Sequence, residues 1–322
     1  MRGTALLLVL AAAAAQEAPR ELAVRPIECT LTLPAGWTGD QGATGVAARD
    51  PDQNGFVVTR EPFLHDAETF AAAWQGQLAN AKISATVERT KATGRDAWRA
   101  AWTAGARGIE VWRVYVPECE MLYNLSFSGG QGFDLRAVID ATLKSFKCTA
   151  AKPELKFQQN TEGISNRISL RLPAGYAKEE TGEGTTLGGG FVRTLGGYDP
   201  PHVAGRIRFA QHESAVTYGT PAGRINGGDT GRWLEFAWQA DERELGVPTK
   251  KPSPRAATFC GIKGDAMEAC VVAKSGLPQR WMGFVGKHKQ DVVTVVIVVD
   301  EREARLHKDY LKQVCSNFVI AK

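Results

Sequence analysis

No run of five or more charges of one sign occurs in this sequence, which excludes a polybasic arm of the kind that holds a chain on nucleic acid. After the N-terminus no stretch approaches the ~20 apolar residues that a spanning helix needs. The strongest candidate, Val292 to Val299, has strand length and contains a Thr. There is no Gly-x-Ser-x-Gly elbow, no His-Glu-x-x-His pair and no phosphate loop ending in Gly-Lys-Ser/Thr. The usual signatures of α/β-hydrolases, zinc proteases and P-loop nucleotide sites are therefore missing. None of the six cysteines lies in a Cys-x-x-Cys pair, so thioredoxin-like exchange and zinc ribbons have no support.

What is present is ordinary globular material in an uneven arrangement. A chain of 322 residues suggests two domains, and 43% hydrophobic residues give each a core of its own. The net charge of +4 is divided unequally. Residues 16–150 carry 14 Lys+Arg against 16 Asp+Glu, a net of −2, and residues 151–322 carry 24 against 19, a net of +5. At the start, Arg2 precedes an apolar run that ends in Ala13-Ala14-Ala15 before Gln16. A positive residue, a short apolar segment and a small-residue cleavage pattern read as a signal peptide over 1–15. This implies export to a periplasmic or extracellular space, where disulfides are permitted. Cys29, Cys119, Cys148, Cys260, Cys270 and Cys315 fall three to each half. Either each half keeps one thiol outside its bridges or one bridge crosses between halves, and the connectivity stays open.

The chain repeats itself. Leu31-Thr-Leu-Pro-Ala-Gly-Trp37 matches Leu170-Arg-Leu-Pro-Ala-Gly-Tyr176, and Asp50-Pro51 matches Asp199-Pro200. Ala73-Trp74-Gln75 matches Ala237-Trp238-Gln239. Gly94-Arg-Asp-Ala-Trp98 resembles Lys263-Gly-Asp-Ala-Met267, and Trp112 then falls opposite Trp281. Ser145-Phe146 matches Asn317-Phe318, and the offsets between matched pairs only increase along the chain, as insertions in the second copy require.

Alternation and capping signals predict the same elements in both copies. The first has strands at 27–33, 43–48 and 55–60, a helix from Asp66 to about Asn80, strands at 84–91, 96–103, 108–116 and 120–128, and a helix at 134–147. The second has strands at 167–172, 190–195 and 203–210, a helix at 229–242, strands at 257–262, 266–273, 280–286 and 291–299, and a helix at 301–317. The fold class is α+β: two tandem βββαββββα units, each an antiparallel sheet covered by helices. The units span 16–148 and 167–322, with the polar, aperiodic stretch 149–166 as linker.

A strand ending in Leu-Pro-Ala-Gly-Trp/Tyr, a mid-chain helix, paired strands and a last helix ending near Ser-Phe resembles the PsbP-like and DcrB-like α/β sandwich families. The resemblance covers nearly all of both units and rests on pattern rather than on a specific motif. It implies a binding, assembly or accessory role and supplies no catalytic residues. The tandem arrangement and the insertion near 211–256 depart from the single-unit form.

Site candidates are few. Asp50-Pro-Asp52-Gln-Asn54-Gly55 followed by Glu61 fits the letter of an EF-hand calcium loop. The flanking residues read as strands, however, and a polar hairpin loop explains the same letters. Thr181 to Gly190 is glycine-rich but lacks the residues and the following helix of a phosphate site. His202 and His212-Glu213 could together bind a transition metal, but no His-Glu-x-x-His spacing exists and surface positions are the favoured reading of all five histidines, His65, His288 and His307 included. Cys119 lies between Glu118 and Glu120, which raises a thiol's pKa rather than activating it. Trp74, Trp98, Trp102, Trp112 and Trp238 read as core, with an aromatic-lined groove for an apolar ligand as the alternative. The segment from Gln211 to Pro254 is the expected contact element for a partner.

The reading is thus an exported, non-catalytic binding or assembly protein that acts on an unknown protein or small apolar ligand, with no cofactor and no nucleic acid. Two alternatives are an exported hydrolase with its site between the units and a calcium-stabilised surface module.

Overall fold

The computed structural model describes residues 18–179, 190–195, 202–221, 223–246 and 248–321. The expected leader over 1–15, most of the glycine-rich run 181–190 and the Asp199-Pro200 match lie outside them.

The first repeat runs β1 (Arg20–Val24), a 3-10 turn, β2 (Cys29–Leu33), β3 (Thr38–Gly42), β4 (Gly45–Arg49), β5 (Gly55–Pro62) and α1 (Phe70–Asn80). It continues with β6 (Glu88–Ala92), β7 (Arg95–Ala104), β8 (Arg107–Val116), β9 (Met121–Gly129), α2 (Leu135–Ser145) and β10 (Lys147–Cys148). The second runs β11 (Glu162–Gly163), β12 (Ile168–Leu170), β13 (Ala177–Lys178), β14 (Gly190–Leu195), β15 (His202–Glu213), β16 (Thr217–Thr220), β17 (Gly223–Asn226) and α3 (Thr230–Leu245). Then come β18 (Arg255–Phe259), β19 (Ile262–Val272), β20 (Pro278–His288), β21 (Asp291–Asp300), α4 (Glu301–Leu306), α5 (Tyr310–Cys315) and β22 (Phe318–Ile320).

The two large sheets have one topology. Their orders are β3-β4-β5-β9-β8-β7-β6 and β13-β14-β15-β21-β20-β19-β18. In both, three strands meet the far strand of a four-stranded meander, and a helix lies in the connection between them. The small sheets also correspond, since β2 pairs with β10 and β12 pairs with β22. In each case the strand leading into Leu-Pro-Ala-Gly is held by the segment after the last helix. The expected first strands, 27–33 and 167–172, therefore belong to side sheets rather than to the main ones. Short β3 and β13, with few apolar residues to mark them, take the edge positions instead.

By contact density the chain divides into two units. Unit 1 runs to Glu61 and includes Ala71–Val116 and Met121–Ala150. Unit 2 comprises Pro62–Phe70, Pro117–Glu120 and the chain from Ala151. The stretch expected as a linker is largely part of unit 2. Leu155 and Ile164 pack against its core, and Phe157 bridges Pro173.

Strand β21 shows why the fold is stable. All ten of its residues except Val298 are buried. Val293, Val295, Ile297 and Val299 point into one cluster with Phe284, Tyr310, Val314 and Phe318. Val292 and Val296 point into the other, beneath Leu234, Ala237 and Trp238 of α3. A central strand covered on both faces needs apolar residues at every position, so its sequence is a run rather than an alternation.

Helix starts follow acidic caps. Asp134, Asp229 and Asp300 accept from the backbone N–H groups of Ala137, Arg232 and Glu303 at 3.0, 3.1 and 3.0 Å. Asp66 instead closes a turn on Glu68 and Thr69, and regular helix begins only at Phe70. The helix expected over 301–317 is broken in two. Asp309 adopts a left-handed conformation, φ 57°, between α4 and α5, a state that aspartate tolerates better than most residues.

Candidate functional site

A groove of about 760 Å³ lies on unit 1. Arg136, Asp140 and Lys144 on α2 form one wall, at the four-residue spacing that places them on one helix face. Lys91 and Arg95, at the β6–β7 turn, form the other. Trp112 provides the floor, and Lys147 and Cys148 close the end. Five cations thus face one carboxylate. Arg136 is bound to Asp140 at 2.9 Å and Lys91 to Asp96 at 2.6 Å. Lys144 and Lys147 have no acidic partner among the described residues.

The floor is rigid. The Trp112 indole Nε1 donates to Glu110 Oε1 at 2.8 Å, and Arg99 Nε donates to the same oxygen at 2.7 Å. The salt bridge stabilises the charged guanidinium, so Glu110 holds the Arg99 pKa above its ordinary value against a smaller cost of burial. A second groove of about 560 Å³, lined by Gln75, Ile83, Glu88 and Arg99, lies beside α1.

Unit 2 instead buries its charges. Glu303, 1% exposed, accepts from Arg193 Nη1 at 2.7 Å and Arg302 Nη1 at 3.0 Å. His307 Nε2 stands 4.0 Å from Glu303, and His202 Nε2 lies 3.2 Å from buried Asp300. The Tyr176 and Tyr310 hydroxyls meet at 3.3 Å. Burial pushes the Glu303 carboxyl up despite Arg193. It drives His307 down to about 4, helped by Arg193, Lys152 and Arg302. It also raises Tyr176 to about 12. Glu303, Asp300, His307 and the two tyrosines are buried while Arg193 and His202 reach the surface, and the groups bond to one another as a structural network does.

The calcium-loop residues do not converge. The Asp50 carboxylate accepts from the Asn54 backbone and side-chain N–H groups, both at 2.8 Å, and Asn54 Oδ1 accepts from Gly130 N at 2.8 Å. Glu61 lies at the other end of β5, seven residues of extended chain and so about 20 Å from Asn54. There it partly offsets the burial that lowers the pKa of Arg113, whose guanidinium lies 4.4 Å from the Trp74 ring centroid. Asp52 sits exposed at the turn. An EF-hand shell is excluded because the segment after Gly55 is a strand and not a returning loop.

His202 and His212 stand at opposite ends of β15, about 30 Å apart, and cannot share a metal. His212 packs on Trp233 at 4.2 Å and Tyr218 at 5.5 Å. This cluster fastens the β16–β17 hairpin to α3. The segment from Gln211 to Pro254 is therefore largely ordered secondary structure, and its hairpin is an element the sequence reading missed. Trp74, Trp98 and Trp238 are core residues, at most 6% exposed. Among the described residues no three His, Cys, Asp or Glu side chains are grouped to hold a metal ion, and no helix is long and apolar enough to cross a membrane.

Sequence reasoning also missed the groove. The Arg136/Asp140/Lys144 spacing was visible, but Lys91 and Arg95 reach it from a hairpin more than forty residues earlier.

No protein-family model matches the sequence, and no curated protein matches it. Solved structures do. Cyanobacterial PsbP (CyanoP) from Synechocystis sp. PCC 6803 is 13% identical over 42% of this chain and 95% of its own, with a TM-score of 0.33. The Ran-binding protein Mog1p of Saccharomyces cerevisiae is 14% identical over 52% of this chain and 97% of its own, TM-score 0.33. The immunity protein TplEi of the T6SS of Pseudomonas aeruginosa is 9% identical over 94% of this chain and 97% of its own, TM-score 0.25. The PsbP-like resemblance read from the sequence is thus matched by similarity to a solved PsbP and goes no further than fold.

Proposed function

We propose that this chain is an exported, non-catalytic binding or accessory protein whose unit 1 groove receives an acidic segment of a protein partner. The observation that carries the reading is the charge contrast. Residues 16–150 are net negative, yet five of their 14 cations line one groove against a single carboxylate. Lys144 and Lys147 supply uncompensated charge, and Trp112 adds an apolar floor. A site with several cations around an aromatic suits an acidic peptide. The open groove offers no base positioned against a nucleophile. Glu303 and His307 of unit 2 are buried, and Glu303 is engaged by Arg193 and Arg302.

The test is titration of a fluorescein-labelled peptide of alternating Glu and Leu into residues 16–322, read by anisotropy. Binding is expected to weaken with salt and to fall at least tenfold in the Lys144→Glu/Lys147→Glu variant. A Lys/Leu peptide serves as control. Equal binding of both peptides, or no change in the variant, rejects the groove. Robust hydrolase turnover by the same protein rejects the non-catalytic reading.

A further inference from the structure

We infer that Cys29 and Cys148 are the partners of a disulfide that fastens β2 to β10, the last strand of unit 1. The two residues are directly opposite in the antiparallel β2–β10 pair. In such a pair, closely spaced and hydrogen-bonded positions alternate. Thr149 N donates to Glu28 O at 2.8 Å, so Glu28 and Thr149 are a hydrogen-bonded pair. The neighbouring pair, Cys29 and Cys148, is then the narrow one, where Cα atoms lie about 4.5 Å apart and both side chains leave the same face. This falls within the Cα range of roughly 4.4–6.8 Å that a disulfide spans.

The surroundings fit. Cys29 is buried beside Leu31 and Leu33, and the Tyr123 hydroxyl lies 3.4 Å from Cys148 Sγ. Burial pushes the Cys29 thiol up to about 12, and Cys148 is the next cause, which places the two sulfurs within each other's field. Cys148 is half-buried and lines the basic groove, so a small reagent can reach it. Oxidation joins the two sulfurs, releases one proton from each, and passes two electrons to a small-molecule disulfide such as glutathione disulfide, which leaves as two thiols. The bond would close a loop of roughly 120 residues, a length at which a cross-link removes much of the unfolded chain's freedom.

This inference rests on the export reading only for its oxidising compartment. The pairing itself is tested on purified residues 16–322. The protein is equilibrated with a glutathione redox buffer at pH 8, alkylated, digested without reductant and mapped by mass spectrometry. The expected product joins the Cys29 and Cys148 peptides. A Cys148→Ser variant should melt about 10 °C below the wild type in oxidant and with it in reductant. Because Cys148 is half-buried, this variant should still fold; Cys29→Ser is the second arm. Alkylation of both residues in the oxidised protein, linkage of either to another cysteine, or an unchanged melting temperature in the variants overturns the pairing. A link formed in vitro but absent from chain recovered from its compartment counts against export and leaves the pairing standing.

Discussion

Replacing Asp241 with Ala should destabilise unit 2 by about 2–4 kcal/mol, and the structure shows where that energy resides. Asp241 projects from α3 and is 7% exposed. Its Oδ2 accepts the indole N–H of Trp281 at 2.7 Å and a guanidinium N–H of Arg208. Trp281 is fully buried, so its N–H has no water to turn to once the carboxylate is gone. An orphaned buried donor costs roughly 1–3 kcal/mol. The Arg208 side chain is 25% exposed and can rehydrate in part, so its loss adds only about 0.5–1 kcal/mol. Asp241→Asn keeps an acceptor and loses the charge, and should cost less than Asp241→Ala. Urea unfolding followed by indole fluorescence measures each change. The decisive experiment is a double-mutant cycle. In a Trp281→Phe background the donor is absent, and Asp241→Ala should then cost at least 1 kcal/mol less. Additive losses, or a single-variant loss below about 1 kcal/mol, would show that the carboxylate does not serve the indole.

Three further outcomes are expected. His307 titrates at about 4 in the folded chain against 6.5 unperturbed, so the unfolded chain binds the extra proton between these values and stability falls as pH drops from 6.5 to 4. The contribution at stake is roughly 3 kcal/mol. The Glu303 carboxyl, which burial pushes up, has the opposite sign but titrates in both proteins compared, so the gap between wild type and His307→Gln should narrow in acid; parallel urea curves at pH 7 and 4.5 would contradict this. Asn54→Ala removes the bonds to Asp50 and Gly130 and should cost about 2 kcal/mol. Calcium should leave the melting temperatures of both that variant and wild type unchanged, and a calcium-dependent rise would restore the ion-site reading. Gly264→Ala would drive a Cβ into the backbone carbonyl of Val285, and because backbone cannot rotate away, circular dichroism should show loss of the folded sheet or a melting temperature at least 10 °C lower.

Much of this fold was legible because strands and capped helices write their own periods. The meander 257–299 was read to within a few residues, since Gly and charged turns punctuate apolar runs. Features set by distant parts of the chain were not legible, nor was one local break. The Asp309 break has no proline or glycine to announce it. The β16–β17 hairpin depends on His212 and Trp233, which come from β15 and α3. Membership of side sheet or main sheet is invisible locally, because it is set by partners far along the chain, β10 for β2 and β9 for β5. The groove failed for the same reason, as its cations come from a hairpin and a helix separated by two long strands. The register that sets Cys148 opposite Cys29 was equally out of reach, since the two strands lie more than a hundred residues apart.

What the duplication has kept is informative about what the fold requires. The strand order is kept, but Trp112 and Trp281, on the equivalent strands β8 and β20, face opposite sides: Trp112 lies on the α2 side and Trp281 packs under α3, as Arg113 packs on Trp74 of α1. Each nevertheless donates its indole N–H to a carboxylate that also binds an arginine. The suppliers differ. Glu110 lies on the same strand as its tryptophan, whereas Asp241 lies on α3; Arg99 comes from β7 and Arg208 from β15. No residue alignment could preserve those partners, since they occupy non-equivalent positions. A large indole fills the space between sheet and helix in each unit, and once buried its N–H must be satisfied. Any nearby element that delivers a carboxylate meets the need, and an arginine then balances the buried charge. Neither the face that the indole occupies nor its polar partners is the same in the two copies, so the repeat survives in the sequence as scattered turn and aromatic residues and most completely in the structure, as one strand order.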